Sequence, residues 1–224
     1  MIRRTSTRTF CILSAIAGIL GVLMIGNSFG INTGPPLNAT NAQLILFAKQ
    51  HYQEVLKGAW LQAVGTFLII FFAIGIVHLA EAKNTFSGWM TLLGSSVLIT
   101  VSLIEVVCYI MALFTVPETM GAIGNNIGHA VQHLYFIVAA PSLFLPLAFV
   151  ILSSTVLPRI FGYLAIILGL AFIIVGITSL YRLILSSLDT SLAAVQALWW
   201  FAAAVVLIVR SRKIENSIIE KNIQ

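Results

Sequence analysis

The chain has 224 residues, of which 59% are hydrophobic and only 8% are charged. A soluble domain carries about a quarter charged residues, because most of its surface faces water. These proportions exclude a soluble globular protein and predict a polytopic membrane protein. The apolar segments occupy nearly the whole chain, which also excludes a sizeable soluble catalytic domain.

Six stretches are long and apolar enough to cross a bilayer as helices, since about 20 apolar residues span the hydrocarbon core. The predicted spans are residues 10–29, 58–80, 88–114, 129–152, 160–181 and 191–209. The first follows a basic start, but its apolar run is longer than the core of a signal peptide, so it is interpreted as a retained helix. The expected fold class is an all-α bundle of six transmembrane helices, forming a single integral membrane domain over residues 1–224.

The basic residues indicate the orientation, because short cytoplasmic loops are enriched in Lys and Arg. If both termini are cytoplasmic, only Lys49, Lys57 and Arg182 lie outside. The basic residues then on the cytoplasmic side are Arg3, Arg4, Arg8, Lys83, Arg159, Arg210, Arg212, Lys213 and Lys221. The net charge of +5 is therefore explained by topology, and no nucleic-acid partner is expected.

The longest predicted connection, residues 31–57, lies outside the cell in this orientation. Thr40 and Gln43 have the spacing of a capping box, and the apolar residues that follow fall mostly on one side of a helix. The pattern predicts a short amphipathic extracytoplasmic helix between the first two spans. Such a helix is either a cap over the bundle or a lid over a site, and the cap is the favoured interpretation.

Small residues indicate where helices pack closely in a bilayer. Gly162, Gly169 and Gly176 recur every seven residues along the fifth span and predict a smooth contact stripe. The first span carries Gly18 and Gly21, followed by Gly26 and Gly30 in GxxxG spacing.

Pro141 and Pro146 both lie inside the fourth span. Each removes a backbone donor and clashes with the carbonyl four residues earlier, which predicts a kink near the middle of the helix. Interrupted helices line binding sites in some transporters, although proline is also tolerated in membrane helices generally.

Glu105 is the only acidic residue deep within a predicted span. A charge in the bilayer costs at least ~2.5 kcal/mol on the insertion scale, so an intramembrane carboxylate is a candidate functional residue. Glu105 lies nine residues from the outer end of its span near Phe114, or about 13 Å along the helix.

His129 and His133 lie one turn apart at the start of the fourth span, with Gln132 beside them. Two imidazoles at this spacing can bind one metal ion, and Glu105 from a neighbouring helix would complete three ligands. The spacing alone is weak evidence for a metal site, because HxxxH is common and His129 also fits a solvent-facing position.

Most other strongly polar intramembrane side chains fall in the same outer half, namely Asn27, Gln62, Tyr109, His133, Tyr181 and Arg182. Six antiparallel spans would let them converge on an outward-facing polar cavity with Glu105 at its floor. The alternative is a buried ion pair between Glu105 and Arg182 or His133 that fixes helix register. The sequence supports the cavity and the ion pair almost equally.

At the cytoplasmic end, His78 and Glu81 are three residues apart and Lys83 follows. An interfacial ion pair is the favoured interpretation of this short run. Its order is the reverse of the Glu-x-x-His of di-iron bundles, and no second copy is present.

Recognised catalytic and nucleotide-binding motifs are missing from the sequence: there is no Walker A, GxGxxG, GxSxG, HExxH or CxxC. His78 and His133 lie at different depths, which disfavours a bis-histidine haem. No cofactor and no catalytic residue is predicted, and the sequence favours a protein that is not an enzyme.

The junction before the fifth span reads Leu157-Pro158-Arg159-Ile160-Phe161-Gly162 and leads into Ile166-Ile167-Leu168-Gly169. It resembles the connection before the penultimate span of the bacterial DUF4386 family. The six-span layout, the basic start and the outer segment are similar as well. The resemblance covers most of the chain in layout and implies a multi-pass protein of the bacterial inner membrane. It implies no activity and no site residues.

Three functional hypotheses follow from the sequence. The first is a protein that binds a small molecule or lipid, as a transporter or transport subunit, around Glu105, His133 and Arg182, with Gln62, Tyr109 and Asn27 nearby. The second is a membrane metal or redox subunit that uses His129, His133 and Glu105. The third is a structural accessory subunit. The expected partners are the lipid bilayer and the ligand, and the sequence leaves open whether the protein forms a homo-oligomer.

Overall fold

The computed structural model describes residues 7–32, 40–113, 118–180 and 186–223. Seven α-helices account for nearly all of this part of the chain. They are α1 (Thr7–Ile31), α2 (Asn41–Leu79), α3 (Phe86–Ala112), α4 (Glu118–Leu134), α5 (Ala140–Leu152), α6 (Arg159–Leu180) and α7 (Ser186–Ile223). A 3₁₀ turn at Ala82–Asn84 joins α2 to α3, and a π-helical turn at Tyr135–Ala139 joins α4 to α5.

Among the described residues, six helices are long and apolar enough to cross a membrane. Their spanning parts are Thr7–Ile31, Ala42–Leu79, Phe86–Met111, Ala130–Leu152, Arg159–Thr178 and Thr190–Ser217. The predicted all-α, six-span membrane fold is therefore confirmed.

The two ends of the bundle differ in charge. At one end α1 begins, α2 passes into α3, α5 passes into α6 and α7 ends. Seven basic residues of the described chain lie there, and we call it the basic end: Arg8, Lys83, Arg159, Arg210, Arg212, Lys213 and Lys221. The opposite, distal end carries Lys49 and Lys57.

The helices are arranged as a ring, in the order α1, α2, α3, α5, α6, α7 and back to α1. The smallest of the six contacts is between α6 and α7. Phe72, Phe144, Phe172 and Trp200 are fully buried and come from four different helices of the ring. The ring of Trp200 lies 5.9 Å from that of Phe72 and 5.2 Å from that of Phe144, measured between centroids. Aromatic packing thus fills the centre of the ring.

The amphipathic segment before the second span is helical and begins as predicted. Thr40 accepts a hydrogen bond from the backbone N–H of Gln43, and the Gln43 side chain accepts one from the backbone N–H of Thr40. α2 runs from Asn41 to Leu79, but His51 lies outside the helical region (φ −109°, ψ 15°), and two helices meet there at a kink. The predicted short helix corresponds to the part of α2 before this kink, and no loop separates it from the second span.

The fourth span begins at Ala130, one residue after the predicted start at His129. The helix that leads into it is longer than the span, because α4 begins at Glu118 and runs into the π-helical turn. Residues 118–128 are more polar than a span, and they form an amphipathic extension of the helix at the distal end.

Pro141 accounts for the interruption that the sequence predicts in the fourth span. Proline has no N–H and cannot donate to the carbonyl of Ile137, so the regular α-helical ladder cannot pass this point. The N–H of Ala140 bonds instead to the carbonyl of Tyr135, five residues back, which is the π-helical pattern.

Pro146 leaves the carbonyl of Ser142 without its helical donor, and Gly94 of α3 packs directly against that carbonyl. A Cβ at position 94 would overlap the carbonyl oxygen, so the hydrogen that glycine carries in its place points at that oxygen. A Cα–H···O contact of this kind is common between closely packed helices. Glycine is therefore required at this crossing of α3 and α5.

The glycine stripe of α6 packs as predicted. Cβ atoms built at Gly162, Gly169 and Gly176 would lie 2.6, 2.7 and 2.6 Å from side-chain atoms of Leu152, Leu145 and Ile137, respectively. The stripe is therefore the surface on which α6 meets α5 and the π-helical turn.

The glycines of α1 divide into two pairs. A Cβ at Gly21 would lie 2.8 Å from the carbonyl oxygen of Gly65, so α1 and α2 approach closely there, and Gly18 packs against Phe72. Gly26 and Gly30 have nothing within 4 Å in the described structure. The GxxxG pair therefore takes no part in packing within the described chain.

Candidate functional site

Glu105 lies on α3, seven residues before the helix ends at Ala112, or about 10 Å along its axis. Only 8% of the residue is exposed. Ser102 and Cys108 lie on the same face of α3 and are buried as well, so this face looks into the bundle. A carboxyl group is thus held inside the bundle, within a span.

Three side chains from three helices donate hydrogen bonds to this carboxylate. Gln62 Nε2 of α2 donates to Oε2 at 2.6 Å, and Tyr109 Oη donates to Oε1 at 2.8 Å from one turn further along α3. Gln132 Nε2 of α4 donates to Oε1 at 3.4 Å. We call these four residues the Glu105 cluster.

A second polar contact lies one turn closer to the basic end. Thr66 Oγ1 and Ser102 Oγ are 2.9 Å apart and both residues are buried. Thr66 follows Gln62 by four residues, and Ser102 precedes Glu105 by three. Because α2 and α3 are antiparallel, both of these positions lie closer to the basic end. The Thr66–Ser102 contact therefore lies next to the Gln62–Glu105 contact, and the two contacts together join α2 to α3.

A third polar contact connects the π-helical turn to α7. Tyr135 Oη donates a hydrogen bond to Gln196 Oε1 at 2.7 Å. The Tyr135 ring packs edge-on against Phe136 and Phe172. Gln132, just before the π-helical turn, therefore contacts α3. Tyr135, at the start of the turn, contacts α7.

The distal part of α2 covers the cluster from one side. Ala48 and Val55 are buried against Leu113 at the end of α3, with Tyr109 packed beside them. Two further contacts lie within this segment, a ring stack of Phe47 on His51 and an ion pair between His51 and Glu54. The segment is thus packed on the tyrosine that holds Glu105, in the place expected for a cap.

The three described donors to Glu105 are all uncharged. They stabilise a carboxylate by hydrogen bonding but leave its negative charge in place. The carboxamide of Gln62 can also turn by 180° and accept a proton from the neutral acid, since amide orientation is interchangeable. The cluster can therefore hold Glu105 with or without a proton, or present its charge to a cationic group.

The structure describes two of the other predicted site residues, Asn27 and His133. Asn27 is exposed on α1, where its amide donates to the Leu23 carbonyl of its own helix at 2.8 Å, away from the cluster. On α4 Gln132 contacts Glu105, and the neighbouring His133 is exposed. Arg182 and Tyr181 lie outside the described residues.

The predicted metal site is only partly covered by the structure. Among the described residues, no three His, Cys, Asp or Glu side chains are grouped in a way that would hold a metal ion. The side chain of His129 is not part of that description. A site formed by His129, His133 and Glu105 therefore stays a prediction.

The sequence did not assign Gln132, Thr66 and Ser102 to the site. Helical periodicity carried a signal for two of them, since Thr66 shares a face with Gln62 and Ser102 shares one with Glu105. The chemistry of Gln132 is less distinctive than that of its histidine neighbours, so the sequence does not single it out.

Comparison with known proteins adds no assignment. No family model matches this chain, and no curated protein or solved structure is detectably similar to it.

Proposed function

We propose that this multi-pass protein binds a small molecule or lipid at the Glu105 cluster, as a transporter or transport subunit. The observation that supports the proposal is the buried carboxyl of Glu105 within a span, contacted by uncharged donors from α2, α3 and α4. Ionisable groups at such depth are expensive and usually mark a ligand or ion pathway.

The orientation proposed from the sequence places both termini in the cytoplasm of a bacterial cell, in the inner membrane. The charge difference between the two ends of the bundle supports it, because seven described basic residues lie at the basic end. The Glu105 cluster then lies in the outer half of the membrane. The resemblance to the DUF4386 family stays a prediction.

The proposed ligand carries a positively charged or hydrogen-bond-donating group that contacts Glu105. Gln132 is the donor that such a group would replace most readily, because its hydrogen bond is the longest of the three at 3.4 Å and the residue is exposed. Gln62 and Tyr109 would then keep the carboxylate in position.

The test is a thermal-shift screen of purified protein against organic amines, polar metabolites and lipids. A Glu105→Gln variant keeps the shape and most hydrogen bonds of the side chain but loses its charge. We expect it to unfold near the wild-type Tm without ligand and to lose the ligand-dependent rise in Tm. Glu54→Gln makes the same chemical change at an exposed residue and should keep the rise.

A structural role is the second candidate, and the same hydrogen bonds favour it, because they tie α2, α3 and α4 together. In that case Glu105→Gln lowers Tm by itself, no compound in the panel raises it, and a partner protein co-purifies. Failure of every compound to stabilise the wild-type protein would therefore reject the binding proposal.

A further inference from the structure

The kink at His51 separates the first part of α2, residues 41–50, from the rest of the helix, and we call this part the distal arm. His51 has φ −109° and ψ 15°, outside the helical region. Sharp bends in helices usually arise at proline, at glycine and serine, or where a side chain disturbs the hydrogen-bond ladder. Residues 41–57 contain no proline, glycine or serine. The bend is therefore held by side-chain contacts rather than required by the backbone.

The His51 ring contacts residues on both sides of the kink. On the distal arm it stacks on Phe47, with 4.7 Å between ring centroids and 29° between ring planes. Beyond the kink its Nδ1 lies 2.5 Å from Oε2 of Glu54. The pair reaches water, since 39% of the His51 side chain and 57% of the Glu54 side chain are exposed. A single imidazole thus connects the distal arm to the rest of α2.

Protonation of His51 strengthens both contacts. The charge of a histidine ordinarily changes between pH 5 and 8. An imidazolium forms a charge-assisted hydrogen bond to the Glu54 carboxylate, and the face of the Phe47 ring attracts its positive charge. A neutral imidazole keeps only an uncharged hydrogen bond and apolar stacking. Acid therefore holds the bend, and loss of the proton weakens it.

The distal arm has few other contacts that keep it in place. Among its residues whose burial is described, only Ala48 is buried. Ala48 belongs to a small apolar cluster with Leu113 at the end of α3, and Phe47 and Tyr109 pack against this cluster. Burial of one methyl group contributes about as much as an ion pair at the surface. The contacts of His51 are therefore a substantial part of what holds the distal arm against α3.

We propose that His51 is a proton-sensitive hinge and that the distal arm is a lid over the Glu105 cluster. With His51 protonated, the distal arm lies on Leu113 and Tyr109. With His51 neutral, it lifts from the end of α3. The lid controls access to the cluster and leaves the hydrogen bonds of Glu105 unchanged, so the proposal does not depend on whether the cluster binds a ligand. With the distal end outside the cell, an acidic medium closes the lid.

Other titratable groups lie on the three helices that meet here. They are Lys49, Tyr52, Glu54 and Lys57 on α2, Glu105, Cys108 and Tyr109 on α3, and Glu118, His129 and His133 on α4. The described parts of α1 and α5, which also pack against α2, carry none at the distal end. Lysine, tyrosine and cysteine ordinarily titrate above pH 8. Between pH 5.5 and 7.5 the alternatives to His51 are therefore the carboxyl groups and the histidines of α4.

The experiment is hydrogen–deuterium exchange of the full chain in nanodiscs at pH 5.5 and 7.5, corrected for the intrinsic pH dependence of amide exchange. Protection of the distal arm should fall about two- to fivefold at pH 7.5, the range over which an exposed ion pair shifts an equilibrium. His51→Gln should show the lower protection at both pH values, and Glu54→Gln should lose most of the pH response. Equal wild-type protection at both pH values, or a response that survives His51→Gln, overturns the proposal.

Matched variants assign the titration to His51. His78→Gln makes the same change at the other end of α2 and should keep the full pH response. Replacement of Glu105, Glu118, His129 or His133 by glutamine should keep it as well. Loss of the response in any of these variants would place the titrating group elsewhere and overturn the role of His51. Circular dichroism checks that each variant is folded.

Access to Leu113 distinguishes a lid that lifts from an arm that unwinds in place. In a variant whose Cys11 and Cys108 are replaced by alanine, the maleimide reaction of Leu113→Cys is compared with that of the exposed Lys57→Cys. The ratio of the two rates should rise from pH 5.5 to 7.5, and adding His51→Gln should make it high at both. Loss of arm protection with an unchanged ratio would reject the lid.

Discussion

Gln62 and Tyr109 have unequal roles at Glu105, because each serves a different carboxylate oxygen. Gln62 is the one described donor to Oε2, while Oε1 is shared by Tyr109 and Gln132. Loss of Gln62 therefore leaves an oxygen without a described partner, whereas loss of the Tyr109 hydroxyl leaves Gln132 in place. The position of each donor follows from helical spacing, but which oxygen it serves depends on how the helices pack.

We expect Tyr109→Phe to lower the free energy of unfolding by about 1.5–3 kcal/mol, the value of a hydrogen bond to a charged group, and Tm by about 3–12 °C. Gln62→Leu should cost more than Tyr109→Phe. Thermal unfolding in detergent measures both. Tyr163→Phe makes the same change at an exposed tyrosine of α6 and should leave Tm unaltered. Equal Tm values for the two tyrosine variants would show that the Tyr109 hydroxyl contributes nothing.

Residue chemistry alone predicted Asn27 at the site and did not predict Gln132. The sequence shows which residues share a face of one helix, but it does not show how that helix is rotated toward its neighbours. In α4 the rotation brings Gln132 to Glu105. In α1 it brings Gly18 and Gly21 to α2 and leaves Asn27 exposed.

At the scale of elements, the fourth span shows how a local sequence feature redirects a whole helix. A π-helical turn accommodates one extra residue, which rotates the helix after it by about 100° relative to a continuous α-helix. The helical phase of α4 therefore cannot be extended through Pro141 into α5. A kink could be predicted from the proline, whereas the π-helical turn and the faces on either side of it could not.

Two glycines offer a matched test of helix packing. Gly94→Ala forces a methyl group onto the Ser142 carbonyl, where backbone cannot move aside, so we expect it to cost about 1–3 kcal/mol or more. Gly26→Ala places the same methyl group in open space and should be neutral or gain up to about 1 kcal/mol from helix propensity. Thermal unfolding of the two variants side by side measures the difference. If Gly94→Ala is as stable as Gly26→Ala, α3 and α5 do not cross as described.

For the whole molecule, composition was sufficient to predict the class and the number of spans. The lengths of the apolar segments alone define the six spans. The bilayer core offers no hydrogen-bond partners to backbone groups, so each spanning segment must form a helix. Sequence was less informative about where helices continue beyond the membrane. α2 and α4 extend at the distal end through residues that are polar enough to resemble loops, and α2 does so across the kink at His51.

The proposed orientation predicts which residues an impermeant reagent reaches. In a variant whose buried Cys11 and Cys108 are replaced by alanine, Lys49→Cys should react with a membrane-impermeant maleimide in intact bacterial cells. Lys83→Cys should react only after the cells are permeabilised. Both lysines are exposed, so the difference in labelling depends only on which side of the membrane each residue faces. The reverse pattern would invert the molecule in the membrane.

The depth of Glu105 has an electrical consequence. It lies about 10 Å inside a hydrocarbon layer of about 30 Å, so a cation that reaches it from the distal end crosses about a third of the membrane field. A full crossing is worth about 2.3 kcal/mol per 100 mV, and a third of it is about 0.8 kcal/mol, or close to fourfold in affinity. With the distal end outside and the cell interior negative, the membrane potential itself would draw a cationic ligand into the Glu105 cluster.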